Sequence, residues 1–337
     1  MSDHLKSLPV LVASYVLMAG ALWLVMRYGL LAALFSGLLV YSLVHLLTPA
    51  LGKKISNQRA RMIAVAVLGA LIVAALSASI WGLISFLRSD AGNVQTLLQR
   101  MADIIEASRD QIPVWLSDNL PESAEALRGM ITEWLREHAT QAKVFGQEAG
   151  RTIVHLLIGM IIGAMAALYN TRAVANYRPL ALALHMRVVN LEHAFRRIVF
   201  AQVRIAGINA ILTAIYLVVI LPLSGVHLPF TKSMIAITFF AGLLPVVGNL
   251  ISNSVLVVVG LSHSLAIAAA SLVFLIVIHK LEYFLNAKII GSHINAHVWE
   301  LLTAMLALET MFGLPGVVAA PVLYAYVKKE LRDRSLV

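Results

Sequence analysis

The chain of 337 residues contains no cysteine, which excludes disulfides, thiolate metal sites and thiol nucleophiles. This absence does not indicate a compartment, because a cysteine-free chain is compatible with either side of a membrane. Charge is also scarce, since 13% of the residues are charged, 60% are apolar, and the mean hydropathy is +0.85. A soluble domain of this length cannot bury so large an apolar fraction in one core. The composition therefore predicts an all-α fold, a polytopic membrane helix bundle.

Several enzyme signatures are missing as well. Every aspartate lies outside the long apolar runs, and neither a G-x-S-x-G nucleophile elbow nor a P-loop occurs. We therefore predict a protein that is not an enzyme and needs no cofactor. His293, His297 and Glu300 are spaced so that one helix could direct them at a metal. The zinc-protease pattern H-E-x-x-H fails here, so we predict no metal site.

Apolar runs recur along the chain at lengths near the ~20 residues that cross a hydrocarbon layer. The first apolar run lacks an A-x-A cleavage site and is followed at once by a second, so we interpret it as a retained helix. Gly159 and Gly163 form a GxxxG pair, which indicates close helix packing. The predicted spans lie at 9–26, 30–51, 62–87, 153–168 and 198–221, and residues 234–327 are apolar with short interruptions.

The distribution of lysine and arginine predicts the orientation, because cationic loops stay in the cytoplasm. Bases dominate 52–61, 172–197 and the C-terminal tail, which places both termini in the cytoplasm. The net charge of +9 therefore reflects membrane orientation, and we predict no nucleic-acid partner. Acids outnumber bases in 88–151, where apolar residues recur at helical spacing. We expect three regions: transmembrane helices in 1–87, an extracytoplasmic amphipathic helical insert in 88–151, and a C-terminal bundle with a cytoplasmic tail in 152–337.

Two C-terminal stretches, 231–261 and 298–327, are too long for one simple crossing. Each contains a cluster of helix-breaking residues near its middle. One interpretation is a kinked, tilted helix in each stretch. We favour a pair of half-helix hairpins or broken helices, because irregular backbone at membrane depth persists only in protein or beside a wet cavity. The predicted hinges are Pro245 and Gly248 in the first stretch, and Gly313, Pro315 and Gly316 in the second.

Polar and ionisable residues inside the apolar stretches are candidates for a substrate or ion pathway. Glu309 precedes the second break, where it could bind a proton or cation or make a packing hydrogen bond. Gln202, Asn209, Thr213 and Tyr216 fall on one helical face, facing protein or water, and Asn249 and Asn253 repeat this spacing. We favour helix packing as the role of this face, with the lining of a solute path as the alternative.

With these features in place, the chain resembles the autoinducer-2 exporter family of bacterial inner-membrane permeases. The resemblance is carried by LLPVVG at 243–248, LEYFLNAKIIG at 281–291 and FGLPGVVAAP at 312–321. In the family, the second motif carries a glutamate and an asparagine, which correspond to Glu282 and Asn286. Ala287 replaces a usual proline, and Glu309 stands where small residues are common, which puts the solute in doubt.

The resemblance implies about eight transmembrane elements and a homo-oligomer in the bacterial inner membrane. It also implies proton-coupled export of a small polar metabolite, with autoinducer-2 as a candidate. A sodium-proton antiporter, exchanging Na⁺ for protons through the same acids, is the alternative. A non-transporting membrane scaffold is the further alternative.

Overall fold

The computed structural model describes residues 8–51, 57–88, 124–169, 177–243, 247–261, 263–289 and 297–336. Within these ranges all regular structure is helical and no strand is present, which confirms the all-α prediction. The helix Pro179–Ile215 is extended by a π-helical turn, Tyr216–Ile220, and by a last turn, Leu221–Leu223. The helices are α1 Leu8–Arg27, α2 Leu31–Leu51, α3 Asn57–Arg88, α4 Ala124–Glu137, α5 Ala139–Leu168, α6 Pro179–Ile215, α7 Thr231–Gly242, α8 Val247–Leu261, α9 Leu265–Ile289, α10 Val298–Phe312 and α11 Leu314–Arg332.

Four helical stretches are long and apolar enough to cross a membrane: Leu8–Arg27, Leu31–Pro49, Gly146–Leu168 and Pro179–Leu223. They contain the first, fourth and fifth of the predicted spans and cover most of the second. Large apolar side chains on them are exposed, including Trp23 at 51%. In water this would be costly, whereas lipid solvates such surfaces, so the chain is a membrane protein with several spans.

The described part of the insert is helical. α4 carries apolar residues at the helical spacing predicted for the insert, and α5 then continues from Ala139 through Arg151 into the fourth span without a turn. Residues 89–123 of the predicted insert lie outside the described residues.

The chain divides into two compact units. The first contains the described residues of Met1–Ala75, Glu148–Ala201 and Ile289–Val337. The second contains those of Leu76–Gln147 and Gln202–Lys288. α6 therefore contributes its N-terminal part to the first unit and its C-terminal part to the second.

The core of the first unit is centred on Phe195 of α6, which is 2% exposed. Met18 of α1, Leu38 of α2 and Val322 of α11 belong to the same buried cluster. Phe35 packs edge-on against Phe195 at a centroid distance of 5.1 Å. Aliphatic and aromatic side chains from four helices thus exclude solvent at this point.

Three glycines let α2 and α5 approach closely. β-Carbons built on Gly159 and Gly163 would overlap backbone atoms of Ala33 and Gly37 respectively. No side chain larger than hydrogen fits at these two positions. The close packing predicted from the GxxxG pair is confirmed, and Gly37 is its partner on α2.

The core of the second unit surrounds the π-helical turn. Tyr216 and Leu217 are buried there with Met234 of α7, Leu256 of α8 and Leu275 of α9. The Tyr216 ring also stacks on Phe274 at a centroid distance of 4.1 Å. This cluster holds α7, α8 and α9 against the C-terminal part of α6.

Each of the two overlong stretches contains two helices that pack against each other as a helical hairpin. In α10–α11, Glu300 near the start of the first helix contacts Tyr324 and Lys328 near the end of the second. In α7–α8, Gly248 lies directly against Ala241 across the break. At 1.5 Å per residue, helices of 12 to 19 residues span roughly 18 to 28 Å, which is less than a full bilayer core.

Candidate functional site

The polar stripe predicted on α6 faces protein in the second unit. Asn209, Thr213 and Tyr216 are 5%, 3% and 4% exposed. The Gln202 side-chain amide donates a 2.7 Å hydrogen bond to the carbonyl of Gly242, the last residue of α7. A helix end leaves its last carbonyls without intrahelical donors, so Gln202 satisfies one of them. The stripe therefore fixes where α7 ends against α6.

The hydrogen bond of Gln202 lies where α6 and α7 pack closely. Gly242 packs against Ala206 of α6, and a β-carbon built on Gly242 would lie 3.3 Å from the Ala206 side chain. Two small residues let the backbones approach, and the amide then bridges them. Sequence spacing alone predicts the face of Gln202 but not this partner on α7.

A small polar cavity lies about two and three turns beyond Gln202 on the same face of α6. Its volume is about 20 Å³, which is enough for one water molecule. It is lined by Asn209, Thr213, Thr238, Ser252, Asn253, Leu256, Leu275, Ile278 and His279. These residues come from α6, α7, α8 and α9, so both helices of the α7–α8 hairpin contribute polar groups to it.

One polar atom of this cavity has no hydrogen-bond partner among the described residues. The Oδ1 atom of Asn209 is buried and accepts no hydrogen bond from the described residues. Leaving a buried acceptor unsatisfied costs about 1–3 kcal/mol. A water, or a solute that carries an O–H or N–H group, would remove this cost. The site thus favours a hydrogen-bond donor as its occupant.

The described lining is neutral apart from one titratable residue. It contains amides, hydroxyls and aliphatic groups, with no carboxylate, lysine or arginine among them. His279 is the exception, and it is exposed. A charged occupant would be poorly compensated here, whereas a neutral polar one would be hydrogen-bonded.

The π-helical turn follows the stripe at Tyr216. Its hydroxyl lies 3.1 Å from the Ser271 hydroxyl of α9 in a buried hydrogen bond. Single π-helical turns in α-helices frequently occur at functional sites, because the extra residue redirects the side chains that follow. Here the turn directs Tyr216 and Leu217 into the core of the second unit.

The predicted hinge glycines are required by close backbone approach. β-Carbons on Gly248 and Gly316 would overlap the carbonyls of Ala241 and Leu308 respectively, each across its break. Gly313 has φ 64° and ψ −146°, a conformation that other residues rarely adopt. Pro315 occupies the first turn of α11, where no intrahelical donor is lost. Pro245 lies outside the described residues.

Glu309, the predicted acid whose side chain the structure describes, does not line the cavity. Glu309 is exposed on α10, and its backbone carbonyl accepts a 2.7 Å hydrogen bond from Gly313. Asn249 lies on α8, and Glu282 and Asn286 lie on α9, but their side chains are outside the described set. Their roles in a pathway stay predictions.

A buried ionic network in the first unit was not predicted. Arg187 of α6 pairs with Glu330 of α11, and the two side chains are 8% and 5% exposed. Tyr15 of α1 accepts a 2.8 Å hydrogen bond from Arg187 and donates one of 3.2 Å to Glu330. Asn190 donates to Glu330 at 3.0 Å and to Asp333 at 3.1 Å. We interpreted these charges only as determinants of orientation, because Arg187 and Glu330 are far apart in the sequence.

The open end of the α10–α11 hairpin carries a second ion pair. Lys328 donates a 2.7 Å hydrogen bond to Glu300, and the Tyr324 hydroxyl donates to the same oxygen. The hydrogen bond from Lys328 is the main cause that lowers the pKa of Glu300. Burial is the largest single influence on Lys328 and lowers its pKa, but the interactions with Glu300 and Tyr324 together outweigh it, so the pKa of the lysine is raised. Glu300 is thus engaged in this pair, and His293 of the rejected metal pattern lies outside the described residues.

Comparison with known proteins gives one extended match. Residues 12–333 match the family described as "AI-2E family transporter". The chain is also similar to a Bacillus subtilis (strain 168) protein described as "Putative transport protein YdbI", with 29% identity over 135 residues. That alignment covers 40% of this chain and 37% of the relative's length. No solved structure gives a significant match.

Proposed function

Because the chain belongs to the AI-2E family of transporters, we propose that it is a secondary transporter that exports a small, neutral, polar metabolite. The observation that carries this proposal is the polar cavity of the second unit, with the unsatisfied Asn209 oxygen inside it. Autoinducer-2 is the first candidate solute. The family is one of membrane transporters, and the solute, the direction and the coupling are our proposal.

The small volume of the cavity supports the view that the structure represents a conformation in which the solute site is closed. A site of about 20 Å³ holds one water but no metabolite, so transport requires it to enlarge. The α7–α8 hairpin supplies one wall and is interrupted between Gly242 and Val247. We propose that the hairpin is re-entrant in the membrane and moves away from α6 to admit the solute, as broken helices do in other transporters. The Gln202–Gly242 hydrogen bond would then open in each cycle.

Proton coupling is the proposed source of energy. Glu282 and Glu309 are the candidate proton carriers. A charged carboxylate is costly at membrane depth, so a carboxyl group there favours its protonated form and can take up and release a proton during the cycle. The neutral lining of the described cavity favours a polar solute over Na⁺, so it supports export more than sodium-proton exchange. We further propose a homo-oligomer in the bacterial inner membrane with both termini in the cytoplasm.

Flux in proteoliposomes tests the proposal. Vesicles with an imposed pH gradient would be assayed with autoinducer-2 and a panel of neutral polar metabolites, with sodium present and absent. We expect flux of at least one solute, independent of sodium, and an Asn209→Ala variant that loses about 90% of it, equivalent to ~1.4 kcal/mol. Ile211→Ala, on the exposed side of the same helix, is the matched control and should transport normally. Undiminished flux through Asn209→Ala would remove the cavity from the proposal.

A further inference from the structure

The part of α6 that belongs to the first unit carries a buried carboxylate, Glu192. It is the single acid of the basic stretch 172–197, and its side chain is 9% exposed. Its Oε1 atom accepts a 2.7 Å hydrogen bond from the hydroxyl of Ser42 on α2, a residue with no exposed surface. A buried carboxyl group either pairs with a cation or gives up its charge by binding a proton. The groups around Glu192 therefore decide which of the two applies.

Two bases of α6 approach Glu192, and both remain partly in solvent. The Nε atom of Arg196 lies 4.0 Å from Oε1, and Nε2 of His193 lies 3.7 Å from Oε2. Their side chains are 39% and 45% exposed. Both separations exceed hydrogen-bonding distance, and pairs with exposed bases stabilise a carboxylate only weakly. Glu192 also acts electrostatically on Tyr41 of α2, as does Arg61 of α3. The ion pairs of Glu192 with Arg196 and His193 are therefore loose.

Glu330, in the same unit, has a different environment. Its side chain is 5% exposed, and Arg187 contacts it directly. Asn190 donates to it through its amide, and the hydroxyl of Tyr15 donates to it while accepting from Arg187. Guanidinium and amide N–H groups can donate hydrogen bonds but cannot accept them. These partners therefore stabilise the charged form of Glu330, whereas the hydroxyl that binds Glu192 does not impose this choice.

Ser42 can serve Glu192 in either protonation state. A serine hydroxyl has one proton to donate and two lone pairs that accept. In the structure it donates to the carboxylate. Rotation about its Cβ–Oγ bond lets the same oxygen accept from a protonated carboxyl group. The Oε2 atom lies toward the partly exposed ring of His193, so this side of the carboxyl group is close to solvent. Glu192 can thus gain or lose a proton without a rearrangement of α2 against α6.

We propose that Glu192 is a proton-binding site of the transport cycle and exchanges the coupling proton with water on the cytoplasmic side. Uptake forms an O–H bond at Oε2 and neutralises the carboxylate, and release of the proton to water reverses both changes. This inference rests on the proposed proton-coupled function and on the predicted cytoplasmic position of 172–197. It adds Glu192 to the candidate carriers Glu282 and Glu309.

Infrared difference spectroscopy of the purified full-length protein tests proton binding without any solute. Lowering the pH should produce the C=O stretching band of a protonated, buried carboxyl group, and Glu192→Gln should lack this band. Glutamine keeps the size of the side chain and an acceptor for Ser42. Glu148→Gln, which changes an exposed acid of α5, is the matched control and should keep the band.

A second variant keeps this test valid if Glu192→Gln misfolds. Ser42→Ala removes the hydrogen bond to the carboxyl group and should therefore shift the frequency of its C=O band. A band that persists in Glu192→Gln, or that has the same frequency in Ser42→Ala as in the unchanged protein, would overturn the site.

Accumulation of autoinducer-2 and of the panel of neutral polar metabolites in proteoliposomes tests whether this proton is the coupling proton. With about one proton exchanged per solute, a gradient of about one pH unit concentrates the solute up to about tenfold. The unchanged protein and Glu148→Gln should reach this accumulation, whereas Glu192→Gln should show none. Accumulation by Glu192→Gln would overturn the coupling role. Absence of flux for every solute in the unchanged protein would contradict the proposed function, and the infrared band would still decide whether Glu192 binds a proton.

Discussion

The hairpins α7–α8 and α10–α11 reverse the chain in the same way but contact different chemistry. Each places a glycine, Gly248 or Gly316, against a carbonyl of the preceding helix. The first hairpin contributes uncharged polar groups to a cavity in which an Asn209 oxygen has no partner within the described part of the chain. The second ends in ion pairs, and its Glu330 is surrounded by donors. The same backbone arrangement thus borders a neutral polar cavity in one case and carries a buried ion pair in the other.

This difference separates the residues expected to affect transport from those expected to affect folding. A buried ion pair resists separation, because each charge left alone would be poorly solvated. An unsatisfied neutral acceptor gains from any donor that enters. We therefore assign binding to the cavity of the first hairpin and structural rigidity to the ionic network of the second. The following predictions are ordered by the size of the expected effect.

The largest loss of stability is expected from Arg187→Met. It leaves Glu330 buried without its cation, at a cost of about 3–5 kcal/mol in unfolding free energy. Replacing both members, as Arg187→Met/Glu330→Met, should recover most of that loss because no buried charge remains. Chemical unfolding in detergent measures both variants, with the exposed Arg178→Met as control. A double variant no more stable than the single one would contradict the proposed role of the pair.

The two hinge glycines should be about equally sensitive to an added methyl group. Gly248→Ala and Gly316→Ala are each expected to lose about 1–3 kcal/mol, because a carbonyl occupies the space of the new β-carbon. Gly207→Ala is the control, since a β-carbon there has no neighbour within 4 Å. Thermal unfolding of the three variants provides the measurement. Tolerance at one hinge only would show that the two hairpins are not built alike.

The smallest effect is expected at the open end of α10–α11, in acid. The pKa of Glu300 is lowered from 4.5, so its contribution to stability is present above about pH 4.5 and is lost as the pH falls through the folded value. Glu300→Gln should therefore remove part of the acid sensitivity. Unfolding midpoints at pH 7 and pH 3.5 test this. An identical pH dependence in both proteins would show that the ion pair contributes nothing.

Much of this architecture is predictable from the sequence, because residue spacing and helix-breaking residues are local features. The spacing of Asn209, Thr213 and Tyr216 identified the inward face of α6, and Pro and Gly clusters identified both breaks. Contacts between distant segments were not predictable in this way. Nothing in the local sequence pairs Arg187 with Glu330. From sequence alone, a charged residue that determines membrane orientation cannot be distinguished from one that forms a buried ion pair. Likewise, the sequence shows that Asn209 is polar, but not that its oxygen lacks a donor.

Water access to the cavity during transport tests the central claim most directly. The chain has no cysteine, so Ser252→Cys introduces one thiol into the lining with little change in shape. In transporting proteoliposomes, a small water-soluble thiol reagent should label this cysteine and stop flux, because the added group fills the cavity. Ser224→Cys, at an exposed turn outside it, should be labelled without loss of flux. Full labelling of Ser252→Cys with unchanged flux, or flux without labelling, would contradict the assignment of transport to this cavity.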